Sequence, residues 1–171
     1  ITFTVDTISP AVPTIKTTGL TTNITDQTIT GEAEAGTLVT LYLDGVATSV
    51  AATAADDGTF SLPATTLSEG DNVISVTAKD GVGNESAESE SITFTVDTIP
   101  PAVPTIETAG LTTNITDQTI TGVAEAGTLV TLYLDGVATS VTATAADNNT
   151  FSLTATTLSE GVNNLTVTAT D

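Results

Sequence analysis

The sequence predicts an all-β protein built from tandem β-sandwich domains of about seven antiparallel strands each. Short segments of alternating apolar and polar residues recur along the chain, as expected for half-buried strands. Turns rich in Gly and Asp separate these segments, and no stretch shows the apolar period of a helix. The chain also matches itself at an offset of 91 residues, with 13 differences among 80 paired positions. Repetition on this scale indicates a tandem array.

One seven-residue stretch occurs twice without change, at residues 1–7 and 92–98. Ile92, Phe94 and Val96 alternate with threonine, which predicts a half-buried strand. The pair of prolines that follows this strand cannot continue a sheet ladder. One unit therefore ends at this stretch, and the next unit begins after it.

These boundaries divide the chain into three predicted parts. Residues 1–7 are the closing strand of a preceding repeat, residues 8–98 are a complete repeat, and residues 99–171 are a repeat that lacks its last strand. A repeat of about 90 residues is large enough to form a modest core of its own. Because the chain begins inside a strand, we expect it to be a segment of a longer array.

Turn signals divide the complete repeat into seven predicted strands, and Asp44-Gly45 is typical of a tight hairpin. The predicted strands are residues 12–17, 28–33, 38–43, 46–54, 59–62, 72–79 and 92–96. Two packed sheets are the favoured arrangement, with a barrel as the alternative. Val73 is predicted to face outward because the other copy carries Asn164 there. The predicted core residues are Ile15, Ile29, Val39, Leu41, Leu43, Phe60, Leu62, Ile74, Val76, Phe94 and Val96.

The composition excludes several classes of function. The chain has 21 acidic and 2 basic residues, a net charge of −19, and neither Cys nor His. Such a charge repels nucleic acid and anionic membrane surfaces and favours divalent cations. Without His and Cys, the commonest general base, the zinc ligands and a thiol nucleophile are absent from the chain. We therefore expect no enzyme activity, no nucleic-acid binding and no membrane insertion.

Acidic residues concentrate in the segments that alternating strands bring to one end of each sandwich, where the chain also arrives. They lie at Asp6, 31–36, 56–58 and 80–85 in the first copy, and at Asp97, Glu125, Asp147 and Asp171 in the second. Ca²⁺ takes six to eight oxygen ligands from such groups. Because Asp97 precedes the hinge, an ion held there would restrict bending. The alternative is that Asp6 and Asp97 serve only as turn residues.

Four longer motifs lie in the same regions: VDTIPP at 96–101, TGEAEAGTLV at 30–39, DGTFSL at 57–62 and VTAKDGVGNES at 76–86. Together they resemble the bacterial immunoglobulin-like tandem repeats of giant RTX-type and biofilm-associated adhesins. The resemblance covers the whole chain. It implies an immunoglobulin-like β-sandwich, an extracellular location on the surface of a Gram-negative bacterial cell, and calcium at the ends of modules. The calcium ligands that it implies are Asp6, Glu34, Asp80, Asn84, Asp97, Glu125 and Asp171.

The resemblance implies a structural extender that holds a distal adhesive domain away from the cell, with neighbouring repeats of the same adhesin as its partners. The alternative is an adhesion module that binds a ligand on a glycan, a cell surface or ice. The unmatched ends of the chain predict a further contact. The strand from Ile1 to Val5 would complete the last repeat of another molecule and produce head-to-tail self-association.

Overall fold

The computed structural model describes the backbone of residues 1–171 and all side chains except those of residues 64–65 and 154–157. The chain divides into two compact units, Ile1–Thr98 (unit 1) and Ile99–Asp171 (unit 2). Over this described backbone the secondary structure consists of strands and turns. No helix long and apolar enough to cross a membrane occurs among these residues.

Unit 1 is a sandwich of two sheets, which confirms the predicted fold class. Its strands are β1 (Thr14–Ile15), β2 (Thr21–Thr22), β3 (Asp26–Glu32), β4 (Leu38–Leu43), β5 (Val46–Thr53), β6 (Thr59–Thr66), β7 (Gly70–Lys79) and β8 (Ile92–Val96). One sheet has the order β1-β3-β6 and the other β2-β8-β7-β4-β5. Neighbouring strands are antiparallel except β2 and β8, which run parallel.

The core of unit 1 lies between these two sheets and follows the predicted register. Nine of the eleven predicted core side chains are buried, and Ile15 and Leu43 are partly buried against them. Ala54 and Leu67 also belong to the core. Val73 is 39% exposed, so the outward prediction is confirmed. The period of two therefore holds in the first half of β7, whereas every residue from Ile74 to Ala78 is buried.

Strand β2 was not among the predicted strands. It consists of two threonines, whose sequence carries no alternation, and it forms by pairing with β8 through Thr21 opposite Thr95 and Thr22 opposite Val96. The backbone N–H groups of Thr95 and Asp97 donate to the carbonyls of Leu20 and Thr22 at 3.1 and 2.9 Å. This strand is specified by a distant partner and not by its own residues.

An irregular segment covers the second half of β7, where β8 no longer pairs with it. Ser86 and Ser89 donate their N–H groups to the carbonyls of Ala78 and Val76, at 2.8 and 2.9 Å. Their hydroxyl oxygens accept from the N–H groups of the same two residues, at 3.0 and 3.1 Å. These hydrogen bonds satisfy the backbone N–H and carbonyl groups of Val76 and Ala78 at the edge of β7, as a neighbouring strand would.

Unit 2 repeats this plan with six strands. They are β9 (Thr105–Ile106), β10 (Asp117–Val123), β11 (Leu129–Leu134), β12 (Val137–Thr144), β13 (Thr150–Thr157) and β14 (Leu165–Thr170). The sheets have the orders β13-β10-β9 and β12-β11-β14, so β14 lies at the edge of its sheet. The buried core residues are Ile120, Ala124, Val130, Leu132, Ala145, Phe151 and Leu153.

Candidate functional site

One end of unit 1 gathers the loops that follow β3, β5 and β7. Lys79 and Thr53 both pair with Leu38, and Glu32 pairs with Thr59, so these strand ends lie side by side. The loops are also bonded to one another. Ala33 donates its N–H to the carbonyl of Gly58 at 2.9 Å, for example. The acidic loops therefore share one end of the sandwich.

Asp80 organises the loop after β7. Its Oδ1 accepts from the backbone N–H groups of Val82, Gly83 and Asn84 at 3.0, 2.7 and 2.9 Å. Its Oδ2 accepts from Nδ2 of Asn84 at 2.8 Å. The Asp80 N–H in turn donates to the Asn84 carbonyl at 3.0 Å. The carboxylate thus closes the loop around itself.

These donors hold the pKa of Asp80 below the usual value for an aspartate. The side-chain bond from Asn84 is the largest cause and outweighs the opposing effect of desolvation; the backbone donors lower the pKa further. Hydrogen bonds to the charged form of a carboxyl favour ionisation. Asp80 therefore stays anionic well into the acidic range.

Asp6 lies beside this loop. Nδ2 of Asn84 donates to the backbone carbonyl of Asp6 at 3.2 Å. The Asp6 carboxylate accepts from the N–H of Ile8 at 3.1 Å, which is a turn contact. Asn84 thus connects two of the predicted calcium ligands, Asp6 and Asp80, and ties the N-terminal segment to the body of unit 1.

The two predicted glutamates lie in equivalent turns. The carbonyl of Glu34 accepts from the N–H and hydroxyl of Thr37 at 3.2 and 2.7 Å. Glu125 makes the same turn with Thr128, and its Oε2 also accepts from the N–H of Ala102 at 3.2 Å. Among the contacts that the structure describes, none joins Glu34 to Asp80. Asp171 follows β14 and is exposed.

Asp97 lies at the opposite end of unit 1 from Asp6 and Asp80, because it follows Val96, which pairs with Gly70 at the start of β7. Sequence reasoning did not identify Glu69, which binds Thr98 at this end. Its Oε2 accepts from the N–H and the hydroxyl of Thr98 at 3.0 and 2.7 Å, and these bonds lower the pKa of Glu69. The separation of 29 residues left no local signal for this pair.

Within the part of the chain that the structure describes, no group of three or more acidic, His or Cys side chains is close enough to hold a metal ion. The contacts bring together the backbone carbonyl of Asp6, the carboxylate of Asp80 and the side-chain amide of Asn84, whose Nδ2 donates to both. The carbonyl of Asp6 and the carboxylate of Asp80 are ligand types of Ca²⁺, whereas Asn84 turns its amide nitrogen toward them.

Sequence comparison identifies the sandwich. Residues 14–98 match the family model of the bacterial Ig-like domain. Unit 1 belongs to the bacterial Ig-like domain family. The same domain recurs in unit 2, since 60 of its 73 residues are identical to those at the 91-residue offset, residues 8–80. No curated protein sequence matches the chain.

The chain is similar to several solved structures, and the one with a TM-score above 0.5 supports the immunoglobulin-like sandwich. A marsupial T cell receptor has a TM-score of 0.62 at 9% identity, covering 92% of this chain and 70% of that chain. Fibronectin(III)-like modules of Clostridium thermocellum CbhA have a TM-score of 0.47 at 18% identity, covering 92% and 85%. A biofilm-associated protein BSP domain has a TM-score of 0.36 at 22% identity; the match covers 95% of this chain and 27% of that chain.

Proposed function

We propose that the chain is an extender region of a bacterial surface adhesin, in which repeated Ig-like modules hold a distal adhesive domain away from the cell. The observation that carries this proposal is the form of the repetition. Of the 13 positions that differ between the copies, only Ile74 and Ser75 are buried in unit 1, and their counterparts are the similar residues Leu165 and Thr166. The core is kept while the surface varies, as expected for a scaffold.

Charge supports the same function. A net charge of −19 makes each module repel its copies, which keeps a long array soluble. A module that recognises a specific ligand would need one distinctive surface, whereas here the whole unit is duplicated together with its linker sequence. No catalysis is involved in this proposal, and the site of action is outside the bacterial cell.

Calcium is the proposed stiffener. A Ca²⁺ ion at the Asp6, Asp80 and Asn84 end of unit 1 would join the N-terminal segment to the loop after β7, which Asn84 already connects. Because Asp6 and Asp80 would provide at most two carboxylates, we expect an affinity in the extracellular range, with a dissociation constant of about 10⁻⁴ to 10⁻³ M. The ligand roles of Asp97, Glu125, Glu34 and Asp171 stay predictions.

Calorimetry of the full chain tests the calcium proposal. With a dissociation constant of about 10⁻⁴ M, about 10 mM Ca²⁺ would stabilise unit 1 by roughly 2.7 kcal/mol. For a unit of this size, that corresponds to a rise in melting temperature of about 10 °C or more. CaCl₂ and NaCl are compared at equal ionic strength. An equal response to the two salts would rule out specific calcium binding.

Two variants locate the ion within unit 1. Asp80→Asn removes one charge at the proposed site, and Asp71→Asn removes one charge at the opposite end of β7. The calcium-dependent rise should be lost in the first variant and kept in the second. If both variants lose this rise equally, the stabilisation by Ca²⁺ depends on the net charge of the chain and not on this site.

The extender role has a separate test. Beads coated with the chain should show no saturable binding to glycans or to cells, since a spacer presents no ligand site. Saturable binding that survives high salt would instead support the alternative, a ligand-binding adhesion module. This outcome does not depend on whether calcium binds.

A further inference from the structure

The chain contains five Asn-x-Ser/Thr triplets, which have the acceptor pattern for N-linked glycosylation. They begin at Asn23, Asn84, Asn114, Asn148 and Asn164. A glycosyltransferase has to reach the side-chain amide nitrogen of the asparagine. The usable triplets are therefore those in which this atom is exposed and takes no part in holding the fold, and the structure separates the five on that ground.

Two of the triplets have amide nitrogens that are already bound within the fold. Nδ2 of Asn84 donates to the carbonyl of Asp6 and to Oδ2 of Asp80, at 3.2 and 2.8 Å. Nδ2 of Asn164 donates to Oδ1 of Asp135 at 3.3 Å, and the backbone N–H of Asn164 donates to the same oxygen at 3.0 Å. These two asparagines serve the structure of their loops, so neither is a good acceptor.

Two other triplets lie at equivalent positions of the two units, before β3 and before β10. Their asparagines, Asn23 and Asn114, are both exposed. The threonines of these triplets, Thr25 and Thr116, use their carbonyls to accept backbone N–H groups at 2.8 and 2.7 Å. Among the contacts that the structure describes, neither threonine hydroxyl bonds to the asparagine of its own triplet. These sites are accessible, but nothing orients the amide.

The triplet at Asn148 is both exposed and ordered. It lies in the turn between β12 and β13, which the N–H of Asn149 closes by donating to the carbonyl of Ala146 at 2.8 Å. Oδ1 of Asn148 accepts from the hydroxyl of Thr150 at 2.7 Å and from the N–H of Thr150 at 3.3 Å. Within the described contacts, Nδ2 of Asn148 donates to no protein group. The triplet therefore binds the amide oxygen and leaves the nitrogen to a partner.

This hydrogen-bonding pattern favours reaction at the amide nitrogen. An amide nitrogen is a poor nucleophile because its lone pair is delocalised into the carbonyl group. Donors placed at the carbonyl oxygen stabilise the negative charge that develops there as the N–H proton leaves, as donors do in an oxyanion hole. The two bonds from Thr150 also restrict the rotation of the Asn148 side chain, which lowers the entropy cost of binding. The turn thus pre-organises Asn148 as an acceptor.

Unit 1 has the same turn without the acceptor nitrogen. Oδ1 of Asp57 accepts from the hydroxyl and the N–H of Thr59 at 2.7 and 3.0 Å, so the geometry is repeated. The side chain of Asp57 is a carboxylate and has no nitrogen to react. Two of the 13 differences between the copies lie in this turn, where Asn148 and Asn149 replace Asp57 and Gly58. The chain therefore contains the candidate acceptor and a matched non-acceptor.

We propose that Asn148 is an acceptor site for N-linked glycosylation by a transferase whose donor is a glycosyl diphosphate. In the transfer, Nδ2 of Asn148 attacks C1 of the sugar, and the N–C1 bond forms as the bond from C1 to the diphosphate oxygen breaks. The diphosphate leaves with the electron pair of that bond, and the Nδ2 proton passes to a base of the transferase. The glycan would be a bulky, solubilising group on the surface of unit 2. This inference depends neither on the extender role nor on calcium.

Mass spectrometry of the folded full chain tests the proposal in two reactions. One contains a soluble transferase that modifies Asn-x-Thr and a nucleotide-linked hexose, and the other contains membranes with an oligosaccharyltransferase and a lipid-linked oligosaccharide. A peptide of residues 145–153 verifies that each transferase is active. Modification in either reaction identifies the donor. Peptide mapping should place it on Asn148, at a rate about fivefold or more above that at Asn23 and Asn114, the effect expected of one additional hydrogen bond.

Exchange of the turn residues between the copies gives the sharpest result. Asn148→Asp introduces the unit 1 residue and should abolish modification of this turn. Asp57→Asn should add a second modified site in unit 1, at a rate similar to that of Asn148, because Thr59 is already in place. Both substitutions are in exposed turns, and calorimetry checks that the variants melt as the wild type does.

Three results would each overturn the proposal. The first is an Asn148 that stays unmodified in both reactions while the peptide is modified. The second is a rate at Asn148 no higher than that at Asn23 and Asn114. The third is an Asp57→Asn chain that folds as the wild type does but gains no second site.

Discussion

Truncation of Phe94 to alanine is the most direct test of how unit 1 is held together. Phe94 is fully buried between the two sheets, at the centre of the contact that β8 makes. Removing a buried Phe side chain costs about 3–5 kcal/mol, through lost burial and the cavity left behind. A domain is typically stable by about 5–15 kcal/mol, so unit 1 would lose a large share of its stability. Its melting temperature should fall by at least about 12 °C.

Phe3 provides a matched control because it has the same sequence neighbours but is exposed. Phe3→Ala should change the stability of unit 1 by less than about 0.5 kcal/mol. Both variants are compared by calorimetry and urea unfolding at low protein concentration, where intermolecular contacts are few.

If Phe94→Ala leaves too little folded protein, Val96→Ala offers a milder change of about 2 kcal/mol, with Val5→Ala as its control. Equal effects at the buried and the exposed position of either pair would refute the assignment of β8 to the core.

Two further predictions concern polar groups. Asn72→Ala should destabilise unit 1 by about 2 kcal/mol or more, because buried Asn72 satisfies backbone groups of Ser68 and Gly70. Asn163→Ala should cost unit 2 less in the same urea titration, because Asn163 is only partly buried. The lowered pKa of Asp80 contributes stability that is present above its ordinary pKa, near 4, and is lost as the pH falls through the lowered value. The unfolding free energies of the wild type and Asp80→Asn should therefore converge below about pH 4, and a constant difference down to pH 2 would contradict this.

Most of the sandwich was predictable because two independent signals agreed. The alternation of apolar residues marked β4 and β8 with the bounds that the structure has, and the duplicated sequence tested the register at Val73 and Asn164. A residue that is apolar in one copy and polar in the other has to face solvent if both copies fold alike. Duplication therefore supplied information that one copy would not have contained.

The features that could not be predicted from the sequence depend on contacts between distant parts of the chain. Strand β2 has no pattern of its own and exists because β8 lies beside it. The identical threonines of unit 2, Thr112 and Thr113, form no strand in the described structure. Likewise, the pairing of Glu69 with Thr98 and the place of Asp97 at the far end of unit 1 follow from where β8 enters its sheet.

The parallel pairing of β2 and β8 also affects how unit 1 resists unfolding when it is stretched. If its two ends are pulled apart, β2 is drawn toward the N-terminus and β8 toward the C-terminus, so two strands that point the same way slide past each other along their length. The hydrogen bonds at Leu20 and Thr22 are then loaded together in shear and do not open one after another. Forced unfolding depends on the rate at which such a barrier is crossed, not on equilibrium stability. The strand that closes the core is thus also the one that resists extension.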